Sequence, residues 1–131
     1  TIPEVAQSIV LTRMSMKSTD MPSGETLENF GRTGATLVIH LAIRNLRAIR
    51  RQLAPHYGDD CAVVVAYRVG WPDELSIRGT REDIHAKVRA EKITRTALVF
   101  VGAALANQQD FKDSALYDPA IPHVLRPKVK K

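Results

Sequence analysis

Arginine is the side chain with the most chemistry to offer in this sequence. Arg44, Arg47, Arg50 and Arg51 fall within eight residues. Guanidinium groups at that density grip carboxylates or phosphates through paired N–H donors, or else form the wet side of an amphipathic helix. Ala42, Leu46, Ile49 and Leu53 recur at helical spacing between them, so the arginines take the solvated face and their stems cover apolar surface. The other reactive types are sparse. His40, His56, His85 and His123 lack metal-ligand spacing, and the single cysteine, Cys61, provides neither a zinc site nor an internal disulfide. Cys61 precedes a valine-rich run and reads as a partly buried, inert thiol. Asp73 and Glu74 adjoin, but neighbours on an extended chain point to opposite faces, which makes a poor acid/base pair. There is no Gly-x-Ser-x-Gly elbow and no Gly-rich phosphate loop. The chemistry left to this chain is binding and positioning.

Composition narrows the class further. The 131 residues fit one domain with a real core, and a 44% hydrophobic content is that of an ordinary globular chain. No apolar run approaches the roughly 20 residues of a membrane span, so no membrane partner is expected. One cysteine fits a reducing cytoplasm. The net charge of +5 looks like a nucleic-acid signal until it is located. Arg126, Lys128, Lys130 and Lys131 carry four positive charges in the last six residues, and removing them leaves +1 for residues 1–125. The expected organisation is one domain over 1–125 and a basic tail over 126–131. Nucleic acid is an unlikely partner on this reading, because a binding surface needs a stripe across the fold.

The elements that must position these residues are legible in the patterning. Apolar stretches predict strands at about Ala6 to Thr12, Thr36 to His40, Ala62 to Ala66 and Ala97 to Val101. Leu75, Ile77 and Gly79 alternate with Ser76 and Arg78, as in a strand with one wet face. Gly70-Trp71-Pro72-Asp73 is turn chemistry, which makes the flanking strands an antiparallel pair. Helices are expected around Glu25 to Gly31, from the arginine cluster to about Leu53, and from Thr80 to Glu91. Thr80 and Asp83 form a short-armed capping box for the last of these. A short helical stretch is expected over Ala103 to Gln109. Strands joined by helices imply parallel pairing, so the fold class is α/β: a mixed sheet of about five strands flanked by helices.

That ordered text resembles the second half of the precorrin-4 C-11 methyltransferases of the tetrapyrrole methylase superfamily. WPDE, then RGT before a helix, then ITRTAL and a closing VG carry the likeness. It begins at PEVAQSIVLTR, continues through GATLVIHLA and ends at LYDPAIPHVLR. The resemblance implies S-adenosylmethionine as methyl donor, precorrin-4 or cobalt-precorrin-4 as substrate, and a homodimer. It also implies a five-stranded mixed sheet sandwiched by helices, as in the C-terminal domain of these enzymes. The Gly-Pro-rich loop of the family's first domain has no counterpart here. The expectation is therefore a C-terminal domain that is inactive without its partner domain. An RNA or protein methylase on the same scaffold is the alternative, followed by a non-catalytic interaction or dimerisation module.

The family places residues on the donor wall by their positions. Its Tyr-Met-Gly segment reads His40-Leu41-Ala42 here, which puts Leu41 against the donor but without the thioether. Arg68 and Val69, after the valine strand, face the cleft in the same way. Thr96 and Ala97 open the last strand, where relatives wrap an adenine with backbone and a small side chain. Arg13 matches a segment at the domain junction and is the expected substrate contact. Arg78, Arg81 and Arg95 also match family positions, with salt bridges to Glu74, Glu82 or Glu91 as the competing role. No catalytic side chain is assigned. Methyl transfer from a sulfonium needs mainly in-line approach and exclusion of water, and positioning of that kind is worth roughly 7–11 kcal/mol.

Overall fold

The computed structural model describes residues 1–15 and 19–106. The basic tail 126–131 and the end of the Ala103 to Gln109 stretch lie outside the described residues, as does His123. A five-stranded sheet is built from β1 (Ile9–Arg13), β2 (Thr36–His40), β3 (Ala62–Tyr67), β4 (Leu75–Thr80) and β5 (Ala97–Val101). Among the described residues three helices accompany it, α1 (Leu27–Gly31), α2 (Leu46–Leu53) and α3 (Ile84–Ala90), with 3-10 turns at Ile43–Asn45 and Ala103–Leu105. The strand order is β1-β2-β5-β3-β4. β1 and β2 pair in parallel, while β2–β5, β3–β5 and β3–β4 are antiparallel.

The mixed sheet expected from the sequence is therefore present, with one difference in its wiring. Strands joined through helices do run the same way, but only β1 and β2 are neighbours. β5 inserts between β2 and β3, so the other helical connections span a strand lying between. Hydrophobic patterning fixes direction and burial but carries no information on lateral order.

Register explains where the core sits. Leu37, Val101 and Val63 share one cross-strand row, and Ile39, Val99 and Val65 share the next. All six are at most 2% exposed, and they pack with Leu46, Ile49 and Leu53 of α2 and Ile84 and Val88 of α3. α2 thus buries the face that the periodicity marked, and its arginines stay in solvent. Among the described residues, the helices pack on this one face of the sheet, and the residues of the opposite face lie outside the core cluster. Ile9 and Leu11 of the edge strand β1 are on that second face and are exposed.

Three element boundaries shift for physical reasons. β1 starts at Ile9, because the amides of Val5 and Ala6 donate to the Ile2 carbonyl and close a turn there. Thr26 caps α1, its hydroxyl accepting from the Asn29 amide at 3.1 Å, so the helix starts at Leu27, two residues later than expected. Thr80 and Asp83 do exchange the expected reciprocal bonds, with the Thr80 amide donating to Asp83 Oδ1 at 2.7 Å and the Asp83 amide to Thr80 Oγ1 at 3.3 Å. Regular helix begins only after them, at Ile84. Asp83 is held below the usual carboxylate range first by the Thr80 amide and then by Lys87. Gly79 lies against this cap, where a Cβ would stand 2.5 Å from Asp83 Oδ1, so a larger residue would displace the Asp83 carboxylate.

Candidate functional site

Three adjacent strands of the sheet end in the same way at one edge. Leu41 follows β2, Arg68 follows β3 and Thr96 precedes β5, with φ of 56°, 48° and 60°. Left-handed backbone costs a non-glycine residue roughly 1–2 kcal/mol, and a β-branched threonine resists it more. The Arg68 amide donates to the Thr96 carbonyl at 3.0 Å, just past the Tyr67–Ala97 pair. The strands are thus latched together at the point where both chains turn aside. A cavity of about 710 Å³ opens beyond them, at the carboxyl ends of β1, β2 and β3 and the amino end of β5. Crevices outside strand carboxyl ends are where α/β sheets hold ligands, and the volume lies in the usual range for small-molecule sites, about 300–1,000 Å³.

The structure brings to this one cavity the six residues assigned to donor or substrate by resemblance: Arg13, Leu41, Arg68, Val69, Thr96 and Ala97. Leu41 and Val69 stand 71% and 59% exposed, so their apolar surfaces are open toward it. Arg68 is engaged within the protein. Its guanidinium stacks on the Trp71 ring, 4.1 Å from the centroid, and Nε lies 2.9 Å from Asp73 Oδ1. Nε is buried and makes no hydrogen bond, so the Asp73 contact is a charge pair with the N–H pointing elsewhere. Arg13 is engaged as well, donating to the carbonyls of Met14, Thr19 and Asp20 at 3.0–3.4 Å. It lines the cavity and also holds the loop after β1.

The lining also includes Arg95, which the resemblance matched with a salt bridge as its competing role, and residues that the sequence did not single out. Trp71, 56% exposed, comes from the β3–β4 turn, and His40 ends β2. Arg44 and Arg95 flank the mouth, and Arg44 Nε donates to the Thr94 carbonyl at 3.0 Å. A lone tryptophan in a Gly-Trp-Pro-Asp turn was the available signal, since a large aromatic in a turn has no core to enter. Among the described residues, the ionisable lining groups are Arg13, His40, Arg44, Arg68 and Arg95, with no carboxylate among them. The site is apolar at its wall and cationic at its rim, and it suits a ligand with a flat or apolar body and acidic substituents.

The other sequence assignments sort clearly. Asp73 and Glu74 diverge as expected, Asp73 to Arg68 and Glu74 accepting from the Gly70 amide at 3.0 Å. Arg81 is structural: it is 7% exposed, donates to the carbonyls of Gly58 and Arg50, and pairs with Asp59. Its partner is therefore Asp59, none of the three glutamates weighed from sequence. Arg78 donates to the Leu105 carbonyl at 2.8 Å. Cys61 is half-buried and burial pushes its thiol up, as suits an inert group. No cluster of metal-ligating side chains occurs among the described residues.

Comparison with known proteins fits this geometry. The family model for tetrapyrrole (corrin/porphyrin) methylases matches residues 1–85. A precorrin-4 C(11)-methyltransferase from a Sinorhizobium species is 55% identical over 120 residues, covering 92% of this chain and 47% of that protein. The chain spans about half the length of the curated relatives it matches. The X-ray structure of a cobalt precorrin-4 methyltransferase of cobalamin biosynthesis superposes with a TM-score of 0.77 at 28% identity, over 82% of this chain and 45% of that one. A uroporphyrin-III C-methyltransferase from Thermus thermophilus, complexed with S-adenosyl homocysteine, shares the fold with a TM-score of 0.57 at 19% identity, over 74% of this chain and 42% of that one. A cavity framed by three left-handed strand ends is set in a chain that belongs to the tetrapyrrole methylase family.

Proposed function

We propose that the full-length protein carrying this chain is an S-adenosylmethionine-dependent C-methyltransferase, acting on C-11 of precorrin-4 or cobalt-precorrin-4. The carrying observation is the cavity at the central strand ends, where the six residues assigned to donor or substrate converge. On this reading the protein works in the cytoplasm as a homodimer. The relatives' names supply the substrate, and the cavity's chemistry fits it: an apolar wall with a rim of arginines for a macrocycle bearing carboxylates.

The residues present fit the donor. Leu41, Val69 and Ala97 offer an apolar wall to a thioether or sulfonium arm. The left-handed turns at Leu41, Arg68 and Thr96 bring main chain to the cavity surface, where it can hold an adenine without a special side chain. The donor supplies a methyl group on sulfur, and the chain's contribution is alignment and a dry surface. Arg68, fixed on Trp71 and paired with Asp73, sets the indole at the edge of the cavity. Arg13 keeps the loop after β1 in place beside the substrate. The exposed apolar side chains of Leu41, Val69 and Trp71 call for a second wall, which a partner domain provides.

Calorimetry with S-adenosylhomocysteine tests this. The full-length protein should bind it at micromolar concentration, and Ala97→Phe should weaken binding at least tenfold with the thermal midpoint held. The 131-residue chain alone should give no micromolar isotherm. A clear isotherm from the isolated chain overturns the need for a second wall. Equal affinity in Ala97→Phe removes this cavity as the donor site.

A further inference from the structure

A band of unneutralised positive charge leads away from the cavity over α2 and α3. Between Glu28 and Asp59 the sequence has no acidic residue, yet it has arginines at 32, 44, 47, 50 and 51. Arg44, Arg47 and Arg51 lie on successive turns of one exposed helix face, and Arg44 also lines the cavity mouth. α3 packs beside α2 and divides its charges between its flanks. Asp83 and Lys87 turn toward β4, where Lys87 Nζ donates to the Arg78 carbonyl at 3.1 Å. His85 and Arg89, four apart, take the flank facing α2. His85 is held below its usual pKa first by burial and then by the charges of Arg47 and Arg89, so these three groups stand close together. None of the salt bridges among the described residues involves Arg44, Arg47, Arg50, Arg51 or Arg89. Like charges crowded in this way oppose folding slightly, and the last-turn positions of Arg50, Arg51 and Arg89 offset only part of that cost through the helix dipoles.

We propose that Arg47, Arg51 and Arg89 form an electrostatic track that steers a polycarboxylate macrocycle toward the cavity, delivering it to Arg44 and Arg95 at the mouth. The substrate class rests on the function proposed above; the track itself rests on the charge pattern. A cationic surface leading into a cleft raises association rates by about 10–10³-fold at low ionic strength. That gain fades once the screening length, about 10 Å at 0.1 M salt, falls below the track's length. Arg47 and Arg89 do not line the cavity, so the track acts on arrival and leaves bound-state contacts unchanged.

The test measures association and dissociation rates of a stable octacarboxylate porphyrin with the full-length protein by stopped-flow fluorescence. Arg47→Glu with Arg89→Glu should slow association about tenfold at 20 mM salt. At 300 mM salt the difference should shrink to less than twofold, with dissociation unchanged throughout. Arg32→Glu with Arg51→Glu alters net charge equally but removes only one track residue, and should slow association by less than half as much. This readout needs no methyl transfer, so it separates failure of the track from failure of the proposed activity. Equal association rates for the first pair and wild type overturn the track. So does equal slowing by both pairs, which reports net charge alone, or a porphyrin that does not bind. Binding of a single-stranded oligonucleotide that is lost on reversal, with porphyrin rates unchanged, overturns it in favour of nucleic acid.

Discussion

The two ends of the sheet are built on opposite terms. At the end away from the cavity several strong polar groups near the chain turns are tied down, although the buried Thr36 hydroxyl has no partner among the described residues. The Tyr57 hydroxyl donates to the Ala35 carbonyl at 2.6 Å, and Arg81 joins the loop at Gly58 to the end of α2. Gly102 lies so close to Thr36 that a Cβ would meet its Cα at 3.1 Å. At the cavity end three residues sit in left-handed backbone, and Leu41, Val69 and Trp71 expose apolar surface. Stability is concentrated at one end of the sheet, and unrelieved strain and unburied surface at the other. Strain of this kind persists where the surrounding structure over-determines it, and it clusters at functional sites.

The largest expected effect tests the closed end. Leu53→Ala, at a fully buried position where α2 meets the sheet, should lower unfolding free energy by about 3 kcal/mol in denaturant titration. A loss below 1 kcal/mol would mean that this end is not the anchor. Tyr57→Phe should cost about 1 kcal/mol, because it leaves the Ala35 carbonyl without its donor. It should also change the alkaline limb. Tyr57 is pushed up to about 12, by burial first and the Cys61 charge second. A raised pKa means that its contribution is complete below the unfolded value near 10 and is lost as pH climbs toward 12. Wild type should therefore lose stability over that window more steeply than Tyr57→Phe, as followed by thermal midpoint.

The open end should respond with the opposite sign. Leu41→Gly relieves a left-handed residue whose side chain packs little, so stability should rise by about 0.5–1 kcal/mol. On the function proposed above, methyl transfer by the full-length protein should fall at the same time. A simultaneous loss of stability would show that Leu41 is a core residue and that the contrast between the ends is false. The smallest effect lies back at the closed end, where Thr80 pairs with Ala62. Asp83 has a depressed pKa, so its cap contribution is present above about pH 4 and lost as acid protonates it. Asp83→Asn should flatten the acid limb of the stability profile by a few tenths of a kcal/mol.

The site was only partly legible before the fold was known. Leu41, Val69 and Ala97 were reachable through the text around them, because local segments carry the family likeness. Trp71, Arg44 and Arg95 reach the same cavity from the β3–β4 turn, the α2 approach and the α3–β5 connection. No spacing rule links a turn at 71 to residues at 44 and 95. The roles of Arg13 and Arg68 were also invisible, since both guanidiniums are directed by partners that only the fold brings near.

Taken alone, the order of residues settled which segments are strands or helices, which face of α2 is buried, the β3–β4 hairpin and the Thr80–Asp83 cap. Each depends on contacts within a few residues, where side-chain periodicity and turn chemistry act directly. Tertiary structure decided that β5 lies between β2 and β3, and with it that three strand ends meet around one cavity. Lateral order depends on long-range pairing among strands of similar apolar character. It is resolved only when the whole sheet and its helices pack together.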